Sequence, residues 1–198
     1  MSHFIPAQAV NCEIRVSNSR FLSHLAPAPS VAEARAYIAT IRAAMPDASH
    51  HVYAYVIGHG ATTTLGMSDD GEPTGTAGRP ALAVLKGSGL GDVVVVVTRY
   101  FGGTLLGTGG LVHAYGDAVR TVLELTPRVE KIARVQLVLA VSYALYEGVK
   151  RTLATYDHHI DDEDFGSDIT ITATVRLADE AQIRAVLIEQ TAAQIVIL

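Results

Sequence analysis

DVVVVVTRYFGGTLLGTGGLVHAYG, residues 92–116, holds the passage from strand to loop to helix that decides the first half of the fold. Val93 to Val97 are consecutive β-branched residues with no polar alternation, which reads as a central strand buried on both faces. The run ends in glycines, and Leu111, Tyr115, Ala118, Val122 and Leu125 then recur at the spacing of one apolar helical face. Arg99 stands where the strand meets the loop. Loops in that place often carry function, and Gly102, Gly103, Gly107, Gly109 and Gly110 suit two readings: close approach of backbone to a ligand, or tight turns alone.

Upstream, AVNCEIRVS and RFLSHLAP predict a hairpin about an SNS turn. Ser30 and Glu33 form a capping box, and Val31, Ala34, Ile38, Ile41 and Met45 predict a helix over about Val31 to Met45. HHVYAYVIG reads as a strand, after which HGATTTLGM shows no period. Pro80 suits the first turn of a helix ALAVLKG ended by Gly87 or Gly89. TPRVE, with its proline and charges, closes the first region. Beyond it come strand RVQLVLAVSY, helix LYEGVKRTLATY, edge strand HIDDEDF, strand DITITATVRL, helix ADEAQIRAVLIEQ and strand QIVIL. That order, βαββαβ, predicts a ferredoxin-like sandwich. The fold class is therefore α+β in two domains, 1–130 and 131–198.

The longest aliphatic run is far below the roughly 20 residues of a membrane span. MSHFIPAQAV has no basic region followed by an apolar stretch, which argues against a secretory leader. A single cysteine, Cys12, suits a reducing compartment, and a cytoplasmic protein is expected. The net charge of −5 is unevenly placed. Residues 1–131 carry ten basic and ten acidic side chains, residues 132–198 five and ten, so the second region lacks the Lys and Arg surplus that draws nucleic acid.

SDDGEPTGTAGRP, Ser68 to Pro80, packs three carboxylates into a glycine-rich loop. Asp69, Asp70 and Glu72 fit a solvated Asp-Gly turn, or a Mg²⁺ site in which carboxylates share the ion with phosphate. GTAGRPALAVL and GTGGLVHAYG both run G-T-x-G into a helix, so each can offer unpaired N–H groups to an anion. Arg99 suits phosphate, or an ion pair with Asp69, Asp70 or Glu72 that ties the loops together. His50 and His51 begin a strand and point to opposite faces, so they cannot chelate one metal. No P-loop, G-x-G-x-x-G, C-x-x-C, H-E-x-x-H or G-x-S-x-G spacing occurs, and no nucleophile declares itself.

SDDGEPTGTAGRP and VVVVVTRYFGGTLLGTGGLVHAYG, with SRF and HHVYAYV before them, closely resemble the IMPACT family in the form of its bacterial YigZ-type members. The likeness spans about Ile5 to Leu125. Its motif falls on Ser68, Asp69, Asp70, Gly71, Glu72, Pro73, Gly75, Thr76, Ala77 and Gly78. It continues on Arg99, Tyr100, Gly102, Gly103, Gly107, Gly109, Gly110 and Tyr115, with Phe101 at an aromatic position and Arg79 where lysine is frequent. The resemblance implies a first domain with the βα fold of a ribosomal small-subunit protein domain 2 and ribonuclease PH, and a second like domain V of elongation factor G. It implies a link to translation regulation, since the eukaryotic relatives regulate initiation by protein binding.

The expectation is a non-enzymatic binding module whose first-domain groove takes RNA, a ribosomal surface or another phosphate-bearing ligand, with no cofactor required. Two alternatives stand beside it: a Mg²⁺-dependent phosphohydrolase or phosphotransferase on a nucleotide-like substrate, and a regulator that binds a protein of the translation machinery.

Overall fold

A computed structural model describes residues 3–198. Met1 and Ser2, which begin the stretch read as carrying no leader, lie outside them. The chain forms two compact units, one ending at Lys131 and the other Ile132–Leu198.

The first unit is built on a five-stranded antiparallel sheet of β2 (Val10–Val16), β3 (Ser19–Pro27), β4 (His50–Ile57), β5 (Thr64–Ser68) and β6 (Val93–Tyr100). Its order is β2-β3-β6-β4-β5, so the valine run lies at the centre. The pleat divides that run. Val93, Val95 and Val97 pack with Phe21, Val52, Ala81 and Tyr115, beneath α2 (Gly78–Gly87) and α3 (Gly107–Leu125). Val94 and Val96 pack with Ala34, Ile38 and Ile41 of α1 (Val31–Ala44) on the opposite face. All five are fully buried, which is why the run shows no alternation. Ser30 caps α1 as expected, its Oγ accepting from the Glu33 N–H at 3.2 Å.

Three short strands escape the periodicity. β1 (Phe4–Pro6) pairs with β7 (Arg128–Glu130), inside the TPRVE stretch that reads as a mere terminator. β5 arises within HGATTTLGM, where an edge strand needs no two-faced apolar pattern. Its Gly66 lies under the Tyr55 ring, and a Cβ there would meet that ring at 2.0 Å.

The second unit runs β8 (Arg134–Val141), α4 (Tyr143–Leu153), β9 (His158–Phe165), β10 (Ile169–Arg176), α5 (Glu180–Gln190) and β11 (Val196–Ile197). The sheet order β11-β8-β10-β9, antiparallel throughout, is that of a ferredoxin-like sandwich. Alternate residues Leu137, Leu139, Ile169, Ile171 and Val175 face Val149, Leu153, Ile183 and Leu187 of the two helices. No helix among the described residues is long and apolar enough to cross a membrane.

Candidate functional site

Register across the first sheet sets the site. Phe21, Arg99 and His50 are cross-strand neighbours on β3, β6 and β4, on the face that carries α2 and α3. They lie one pleat beyond Val97 and Val52, at the end of the strands where the acidic and glycine loops emerge.

The acidic loop folds back on itself. Asp70 and Gly71 both take positive φ, 47° and 87°, which makes the Asp-Gly tip expected of a turn. Gly78 is bare because Ser68 passes so near that a Cβ would meet its carbonyl carbon at 2.7 Å. That approach brings the Asp69 carboxylate onto the amino end of α2, where it accepts from Gly75, Ala77 and Gly78 N–H at 2.8, 3.0 and 2.7 Å. Burial pushes the Asp69 carboxyl up, but these three donors outweigh it and hold the group below its ordinary value. The first of the two G-T-x-G helix ends is thus already filled by an anion of this chain.

The other two carboxylates go elsewhere. Asp70 pairs with Arg42 and accepts from the His51 backbone N–H at 2.6 Å. Glu72 is buried, and its Oε1 accepts from Arg99 Nη1 and from the Tyr115 hydroxyl, each at 2.7 Å. Burial, reinforced by the bond to Glu72, pushes the Tyr115 phenol well above its usual range. Asp69, Asp70 and Glu72 are therefore not brought onto one ion, and among the described residues no three metal-ligating side chains converge. Of the two readings of Arg99, the ion pair is the one formed. Its guanidinium also lies between the rings of Phe21 and Phe101, 5.4 and 5.5 Å from their centroids.

The second G-T-x-G end is different. α3 begins at Gly107 with Leu106 before it, and among the described residues no side chain caps its first turn. Gly107 takes φ 70° to enter the helix. Gly107 and Thr108 line a cavity of about 410 Å³ whose floor is Glu72, Arg99 and His50 and whose rim is Phe101 and Leu105. Phe101 is 48% and Leu105 87% exposed, so the rim is apolar and open to solvent.

Several residues of the motif shape loops without facing the cavity. Ser68 Oγ accepts from Asp70 N–H, Thr76 donates to the Pro73 carbonyl, and Gly75 donates to Asp69. Tyr100 alternates to the opposite face, where its hydroxyl donates to Asp47 and Arg20 covers its ring. Gly102 lies so close to the β2–β3 turn that a Cβ would sit 2.1 Å from the Asn18 carbonyl carbon, while Gly103 and Gly109 have open space around them. His50, Leu105, Leu106, Thr108 and Leu111 are the cavity residues that the loop motifs do not single out, whereas Phe101 stands at the aromatic position of the motif. The T of G-T-x-G and the place of HHV at a strand start are the signals that point to Thr108 and His50.

Comparison with known proteins agrees over both units. Residues 17–123 match the Impact N-terminal domain, and residues 139–194 match a domain of unknown function, DUF1949. The chain is 40% identical over 185 residues to the IMPACT family member YigZ of Escherichia coli, covering 93% of this chain and 91% of that one. It is 29% identical over 123 residues to protein IMPACT of Rattus norvegicus, covering 61% and 38%. A crystal structure of a hypothetical protein, 38% identical, superposes with a TM-score of 0.77 over 100% of this chain and 96% of that one.

Proposed function

This chain belongs to the IMPACT family as a bacterial YigZ-type member, and from that premise we propose that it is a binding protein linked to translation regulation whose first-unit groove takes single-stranded RNA. The observation that carries the reading is the uncapped first turn of α3, opening on a cavity rimmed by an exposed aromatic ring. Unpaired N–H groups at a helix amino end attract a phosphate, and Phe101 offers a base a stacking face. The cavity volume, about 410 Å³, falls within the range of small-ligand sites and suits one nucleotide unit of a longer strand. Arg99 does not serve as a bare phosphate clamp in this reading, because Glu72 neutralises it. It stiffens Phe101 from beneath. A metal-assisted phosphotransfer would draw Asp69, Asp70 and Glu72 onto one ion, and their present partners oppose that.

The reading is tested by fluorescence anisotropy with labelled oligouridylate at low salt. Phe101→Ala should weaken binding about tenfold, the usual effect of removing one stacking ring. Absence of binding by the unaltered protein would remove RNA as the ligand.

A further inference from the structure

The polarity of the groove is divided, and the division selects a kind of nucleic acid. On one side, the first-turn N–H groups of α3 point donors at the cavity through Gly107 and Thr108. On the other, the floor is the ion pair of Arg99 and Glu72, with an acceptor on the carboxylate. Glu72 is 8% exposed, and its Oε1 is filled by Arg99 and Tyr115. Its Oε2 accepts no hydrogen bond among the described residues, and His50 Nε2 lies 3.8 Å from it. His50 Nδ1 lies 2.9 Å from the Asp70 carbonyl, which holds the ring beside that oxygen. Glu72 Oε2 therefore has room for a donor that a ligand brings in place of water.

We infer that Glu72 Oε2 is the acceptor for a ribose 2′-hydroxyl, so that the groove distinguishes RNA from DNA. The inference rests on the RNA reading above and adds to it a specificity-determining residue. A phosphate at the amino end of α3 and a base on Phe101 leave the sugar edge to the cavity floor, where a hydroxyl proton meets Glu72 Oε2. A deoxyribose has no donor to place there. An anion is unwelcome at that point, which keeps the phosphate at α3.

The test compares three labelled single strands of about ten nucleotides, a length within the usual single-strand site size. They are oligouridylate and its 2′-deoxy and 2′-fluoro forms, all with the same base. The 2′-fluoro strand keeps the sugar pucker of RNA and carries, in place of the hydroxyl, a fluorine that cannot donate. The unaltered protein should bind the ribose strand at least about tenfold more tightly than either of the others, as loss of a hydrogen bond to a charged acceptor dictates. In Glu72→Gln the side-chain carbonyl stays with Arg99 and Tyr115 and the amide turns its donors to the cavity. The gap between ribose and 2′-fluoro strands should then narrow, because the charged acceptor is lost while the hydroxyl oxygen can still accept from the amide. Circular dichroism checks that this variant is folded, and the strand series on the unaltered protein stands without it. Equal affinity for all three strands would overturn the inference and leave RNA-groove binding intact. A preference for ribose over deoxyribose that the 2′-fluoro strand shares would assign discrimination to sugar shape and also overturn it. No binding of any strand would overturn both.

Discussion

Asp69 and Glu72 are three positions apart, and each accepts from more than one donor, yet they do different work. Asp69 takes three backbone N–H groups and closes the amino end of α2. Glu72 takes two side-chain donors and turns its second oxygen to a cavity. Asp69→Ala should cost about 1–2 kcal/mol, the usual loss for a helix cap, read from urea unfolding at neutral pH. The pH dependence has a definite sign. The folded carboxyl lies below its ordinary value of 3.8, so its contribution is complete above that pH and is lost as pH falls through the lower folded value. The variant's stability should therefore fall less steeply than that of the unaltered protein below about pH 4. A sequence shows that three acids lie in one loop, but not which donors each meets. Arg99 and Tyr115 reach Glu72 from 27 and 43 residues away. That long-range pairing is why the acids read first as a turn, with a metal site or an ion pair left open.

At the level of elements, the strongly periodic segments were legible because local pattern and burial agree. The valine run, the Ser30 cap and the six elements of the second unit all fall where their residues place them. β1, β5 and β7 were not legible, since their short edge pairings depend on what passes beside them. The glycine loop lies between these cases. Its residues permit either close approach or free turning, and the structure assigns the two roles to different glycines. Gly102→Ala should lower stability by about 1–3 kcal/mol, because its Cβ would collide with Asn18 backbone that has little room to yield. Gly109→Ala, in the first turn of α3 with nothing within 4 Å of its Cβ, should be neutral or stabilising by up to about 1 kcal/mol. Thermal or urea unfolding of the two variants side by side checks the assignment. The same contrast separates the helix ends: the motif repeats, but only α2 has an acid poised over it.

Over the whole chain, each unit has its own core and its own charge balance. Ten basic residues offset ten acidic ones up to Lys131, and the excess acid lies beyond it. Such a chain cannot hold RNA by a broad field of lysines. Binding should depend on few phosphates, with log K falling against log salt with a slope of about −0.7 to −1.4, the value for one or two phosphates on a single strand. A much steeper slope would indicate a cationic surface outside the groove. The resemblance in the motif loops identifies the family from sequence alone, whereas the groove exists only once β6, α3 and the acidic loop are folded together. An amide spectrum of the isotope-labelled protein, recorded while oligouridylate is added, tests the central claim most directly. The account predicts that Gly107, Thr108 and Gly109 move first and furthest, while Gly75, Ala77 and Gly78, already bonded to Asp69, and residues 132–198 stay in place. Movement at the α2 end or in the second unit, with the α3 turn unmoved, would contradict it.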